Sequence, residues 1–195
     1  EFTVNRKEEK LRALLEPSWR GGFVSGERTR SLLDLWLEGA TFEQTLIPVA
    51  VVATDLQHRR AEIFSSGPLA PAVQASMAIP GMFRPVFYDN KYLVDGGITN
   101  PVPSDIVKQM GADIVIAVNL YRMPEDAEDS PDGFGVLDVA NRTIEIMRYC
   151  LANGTIHSAD IIIEPLLEDH SAWSRYFMKD MGHEIVAIGE SHAED

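Results

Sequence analysis

Three features of this 195-residue sequence predict an α/β fold: short β-branched apolar runs, helical stretches set between them, and a 45% apolar content able to build a core. Strands alternate with helices through the second half, which predicts a largely parallel sheet covered by helices on both faces. The length argues for one domain spanning residues 1–195.

The elements follow in order. Asn5 to Glu16 sets Leu11, Leu14 and Leu15 at helical spacing, and Pro17 ends the run. Arg30 to Glu38 carries Leu32, Leu33, Leu35 and Trp36 as a second helix, with Gly39 at its C-terminal cap. From Leu46 to Thr54 the chain turns β-branched and apolar, bounded by Asp55. This reads as a covered strand paired with Ala61–Phe64 through the polar turn between them. Pro68 opens a helix of small residues from Ala70 to Ala78, which Pro80-Gly81 stops. Lys91–Asp95 is a short strand running straight into Gly96-Gly97. Then come a helix from Val102 to Met110, a strand from Asp113 to Leu120, a helix from Val136 to Leu151, a strand from Ala159 to Glu164 and a last helix from Ser174 to Gly189.

Charge and cysteine content exclude several classes of function. Seventeen Lys and Arg against 30 Asp and Glu leave a net charge of −13, which excludes electrostatically driven nucleic-acid binding and disfavours tight anchoring to anionic lipid. No apolar stretch approaches the roughly 18 residues of a spanning helix. The single Cys150 can form neither an internal disulfide nor a cysteine cluster for zinc, so a reducing, cytoplasmic setting is expected, with at most transient contact at a membrane periphery. His58, His157, His170, His183 and His192 lack zinc-motif spacing. The acidic loop Pro124 to Asp132 lacks EF-hand spacing and reads as solvated surface. No metal and no organic cofactor is expected.

Asp95 is the first candidate for chemistry. Ligands of α/β sheets bind beyond the carboxyl ends of strands, and Asp95 stands at such an end, followed by two glycines that leave space beside its carboxylate. Taken alone, Asp95-Gly96-Gly97 equally reads as a tight turn. Met77, Met82, Phe83, Phe87 and Tyr88 lead up to it and read either as walls for an acyl chain or as plain core. Arg84 reads either as a lipid-phosphate ligand or as a surface ion-pair partner.

A series of motifs decides more than any one of them: Leu46-Ile47-Pro48, Ala53-Thr54-Asp55, the run from Ala75 through Ile79-Pro80-Gly81 to Val86, and Leu93-Val94-Asp95-Gly96-Gly97-Ile98-Thr99-Asn100-Pro101. In this order they resemble the patatin-like phospholipase family, with Gly111-Ala112-Asp113 and Ala159-Asp160-Ile161-Ile162 matching text of bacterial members, from about Gly26 to about Gly189. The resemblance implies a three-layer α/β/α fold and a serine acyl hydrolase of phospholipids or other carboxylic esters that works with a Ser-Asp dyad. The serine would sit in a G-x-S-x-G elbow, Asp95 would activate it, and Gly96 and Gly97 would shape the turn. A free aspartate titrates near about 3.9 and is a poor base, so exclusion of water or the transition state itself must supply the rest.

The sequence departs from the family in lacking that elbow. Ser25 precedes Gly26, but Phe23 stands where the elbow needs a small residue. No glycine-rich oxyanion loop is present either, and the first residue is Glu1 rather than Met. The reading is therefore a domain whose first strands, oxyanion loop and nucleophile are missing, carrying the Asp half of the dyad. Ser76, Ser65 and Ser66 have no elbow to present them. The alternative reading is a non-catalytic lipid- or protein-binding regulator on the same fold. Missing strands would expose a sheet edge, so self-association, or a partner supplying the absent part, is expected.

Overall fold

The computed structural model describes residues 22–121, 135–165, 186–187 and 189–191. The expected helix at Asn5–Glu16, the acidic loop at Pro124–Asp132, His170, His183 and His192 lie outside the described residues, as does most of the expected last helix, of which 186–187 and 189 are described and helical. The chain divides into two compact units, Glu1–Asn100 and Pro101–Asp195.

In the first unit β1 (Gly22–Val24) leads through Gly26, whose φ of 82° suits glycine, into α1 (Glu27–Trp36). Next come β2 (Val51–Asp55), β3 (Arg60–Phe64), α2 (Leu69–Ser76), β4 (Gly81–Phe83), β5 (Val86–Tyr88) and β6 (Lys91–Asp95). Four strands form one sheet in the order β3-β2-β6-β5, and every pairing in it is antiparallel. A separate parallel pair joins β1 to β4.

The expectation of a largely parallel sheet is therefore corrected for this unit. Its cause is connection length: β2 and β3 are joined by a short turn, and β5 and β6 by Asp89 and Asn90 alone, both left-handed at φ 50° and 59°. Two residues cannot make the crossover that parallel strands require, whereas two successive left-handed residues suit the twist of an antiparallel hairpin. The early part of the first expected strand is corrected too: pairing begins only at Val51, and Leu46 and Ile47 are exposed.

One face of the sheet is closed by α2. Ala53, Phe64 and Leu93 on the strands meet Leu69, Ala72 and Ala75 of the helix and Phe42 of a preceding 3-10 turn. Alanines let the helix come close to the strands, and truncating a wholly buried residue such as Leu93 costs about 2–5 kcal/mol. Pro71 fits in the first helical turn, where its missing N–H would have had no helical partner.

The second unit contains α3 (Ser104–Gln109), β7 (Ile116–Val118), α4 (Val136–Thr155) and β8 (Ile161–Ile163), with β7 and β8 pairing in parallel. Here the alternation of strand and helix does yield parallel pairing, though both strands are shorter than the sequence suggested. Val102, Ala117, Ala152 and Ile156 form its core. Asp160 ties the unit together: its carboxylate accepts from Val115 N at 2.8 Å and lies 3.6 Å from Lys108 Nζ, and these hold it below the usual carboxylate range. Among the described residues, no helix is long and apolar enough to cross a membrane.

Candidate functional site

Asp95 ends β6, and the following Gly96–Ile98 form a single 3-10 turn. Its carboxylate accepts from the Gly97 N–H at 2.8 Å, so the side chain caps the turn that it precedes. The residue is only partly buried, whereas Gly96 and Gly97 are buried. A β-carbon on Gly96 would lie 2.7 Å from the carbonyl carbon of Val52 and nearer still to its oxygen, so the strand and the turn can approach only with glycine there.

The backbone of Asp95 is held from three sides. Its N–H donates to Ala78 O at 3.0 Å, its register partner is Ala53, and its carbonyl accepts from the Thr54 hydroxyl at 2.8 Å. Thr54 Oγ1 also lies 2.9 Å from Thr99 Oγ1, and the Asn100 N–H donates to Gly96 O at 2.9 Å. These contacts fix where the carboxylate stands. Thr54, Thr99 and Asn100 are the supporting residues that the sequence reading passed over as a site. The available signal was Thr54 itself, a polar residue inside an apolar strand, since a buried hydroxyl must find a partner.

Asp55, at the end of β2, is handled differently. It is wholly buried, and burial alone would push its carboxyl up. A 2.6 Å contact with His58 Nδ1 and the backbone N–H groups of His58 and Gln57 outweigh that and hold it below the usual range. An ionised carboxylate only accepts, so His58 Nδ1 carries the proton of that bond.

The remaining candidates are dispersed. Ser25 sits between β1 and α1, and its hydroxyl accepts from Glu27 N at 3.3 Å. Ser76 closes α2, while Ser65 and Ser66 are exposed. The residues read as a single apolar cluster separate into three surroundings. Phe83 packs with Val24 and Ala78, Tyr88 packs against the α2-covered core, and Phe87 faces outward against Tyr92. Arg84 is exposed, with its N–H donating to Val24 O. His157 lies in a 3-10 turn at Ile156–Ser158. Among the described residues, no three His, Cys, Asp or Glu side chains are grouped to hold a metal ion.

Comparison with known proteins places these features in context. The family profile described as patatin-like phospholipase matches residues 2–108. The chain is 38% identical over 108 residues to an uncharacterized NTE family protein of Mycobacterium tuberculosis, an overlap covering 55% of this chain and 30% of that protein. It is 32% identical over 95 residues to patatin-like phospholipase domain-containing protein 7 of Rattus norvegicus, covering 48% of this chain and 6% of that protein. A lysophospholipase of Phaeosphaeria nodorum is 32% identical over 82 residues, covering 42% of this chain and 5% of its own length. The chain thus spans under a third of the length of each of these relatives.

Proposed function

The chain belongs to the patatin-like phospholipase family, and on that premise we propose that it contributes the aspartate of a Ser-Asp dyad to an acyl hydrolase of phospholipid or lysophospholipid esters. The observation that carries this reading is Asp95 itself: a partly exposed carboxylate at the end of β6, oriented by the Gly97 N–H and backed by two buried glycines. A relative named as a lysophospholipase supports the substrate class.

In this reading the nucleophilic serine lies outside these 195 residues, which contain no G-x-S-x-G. The serine oxygen bonds to the ester carbonyl carbon while Asp95 accepts the hydroxyl proton. That proton passes to the departing alcohol oxygen as the ester C–O bond breaks, leaving an acyl-serine. Water then attacks the acyl carbon, with Asp95 again taking the proton, and the serine is restored as the fatty acid leaves. No metal or organic cofactor enters these steps.

The missing elbow also favours a second reading, a lipid- or protein-binding role without turnover. A fluorophosphonate probe, which modifies activated serines, separates the two when followed by intact mass. The dyad reading expects one adduct on a serine outside residues 1–195 in the protein that includes them, and none on this chain alone. An adduct on Ser25 or Ser76 would refute the assignment of the nucleophile, and no adduct anywhere would favour the binding role.

A further inference from the structure

Of the five apolar residues that lead up to Asp95 in the sequence, the fold commits four to other surroundings. Phe83 is buried with Val24 and Ala78, and Met82 packs partly buried against the same cluster. Tyr88 packs against the α2-covered core, its ring 5.7 Å from that of Phe64. Phe87 pairs in register with Tyr92, and alternation along β6 puts Tyr92 on the side of the sheet opposite to Leu93 and Asp95. Met77 remains: it follows directly on α2 and is 40% exposed.

Two observations place Met77 beside Asp95. Ala72 and Ala75 of α2 share a core cluster with Leu93 of β6, and Asp95 lies two residues further along β6 on that same side. Ala78, the residue after Met77, accepts the Asp95 N–H at 3.0 Å, which joins the end of α2 to the end of β6. Met77 is therefore one residue removed from the backbone bond that fixes Asp95, and both residues are partly exposed. A single exposed methionine is ordinary on a protein surface. What singles out Met77 is its attachment to the residue that holds the candidate base.

We propose that Met77 meets the acyl chain of the ester and so favours long-chain over short-chain substrates. The inference rests on the dyad reading of Asp95. In that reading the base stands within hydrogen-bond reach of the attacking serine, so the carbons next to the ester carbonyl pass close to the residues that flank Asp95. Contact with a long chain takes apolar surface of Met77 out of water, and an unbranched thioether adapts to chains of different length and bend. An acetyl ester has only a methyl group beyond its carbonyl and gains little from that contact.

The test uses the protein that includes the serine, with p-nitrophenyl laurate and p-nitrophenyl acetate as substrates and the ratio of their kcat/KM values as the readout. Met77→Ser is expected to lower the laurate-to-acetate ratio about tenfold. Met77→Leu, which keeps the apolar volume, should retain most of the laurate preference. Phe87→Ser, which removes an exposed ring from the other side of the sheet, should leave the ratio where it is. Loss of folded enzyme lowers both values together, so the ratio remains informative if a variant is destabilised. An unchanged ratio in Met77→Ser, or an equal change in Phe87→Ser, would overturn the inference and leave the dyad reading standing. Asp95→Asn tests that reading separately: turnover of both esters should fall, and retained turnover would overturn the dyad and, with it, the ground for assigning Met77.

Discussion

Two aspartates close neighbouring antiparallel strands of the same sheet, and they have opposite fates. Asp55 is sealed from water and saturated with donors from Gln57 and His58, so its charge is spent on holding the β2–β3 turn. Asp95 is partly exposed; the Gly97 N–H orients its carboxylate, and Ala78, Ala53 and Thr54 hold its backbone. A carboxylate whose acceptor sites are filled by its own turn has little to offer a substrate. Asp95 stands partly in solvent at the end of β6, whereas Asp55 is sealed off. Burial, more than residue type, distinguishes the structural acid from the candidate base.

Substitutions can break this comparison, beginning with the greatest effect. Asp95→Asn in the protein that contains the serine should keep the fold and lower ester turnover by about 10²–10⁴-fold, the usual loss on removing a general base; retained turnover would make Asp95 a second structural acid. Gly96→Ala forces a β-carbon onto the Val52 carbonyl and should cost about 3 kcal/mol in urea unfolding, with activity falling in parallel. Asp55→Asn should lower the melting temperature at neutral pH with a smaller effect on turnover. The folded Asp55 carboxyl is held below its ordinary range, so its stabilisation is complete above the ordinary value near about 3.9 and is lost as pH falls through the depressed one. The Asn variant should therefore show a shallower loss of stability on acidification, measured as melting temperature against pH. Thr54→Val should have the smallest effect, about 1–2 kcal/mol for the hydroxyl shared between Asp95 O and Thr99, with a modest loss of activity.

Much of the Asp95 neighbourhood was legible in the sequence. The strand Lys91–Asp95 and the glycines after it lie where expected, and the helix of small residues opened by Pro68 is α2. Pairing direction in the first unit was not read correctly, although a hint was present: Asp89-Asn90 stands between Val86-Phe87-Tyr88 and Lys91-Tyr92-Leu93, two polar turn-formers between short apolar runs. The strands β4 and β5 were hidden because Gly81 opens the first, Pro85 stands just before the second, and their three-residue length leaves no period to detect. The role of Thr54 was not legible for a different reason, since its partners Asp95 and Thr99 lie more than forty residues away and meet it only when β2 pairs with β6. Local pattern reveals elements, whereas long-range register decides which polar groups meet.

The turn between β5 and β6 carries a further consequence. Its two left-handed residues set the register that pairs Tyr88 with Lys91, and alternation from Lys91 through Leu93 then brings Asp95 to the same side of the sheet as the α2-covered core. One residue added after Asn90, with the strand sliding to keep its bonds, would exchange the two sides of β6. Leu93 would turn outward and Asp95 would leave its place. An exposed surface turn of this kind ordinarily tolerates added length, but this one acts as a phase setting for the candidate catalytic residue. Variation in its length should be far rarer than its exposure suggests, and residue count there should matter more than residue identity.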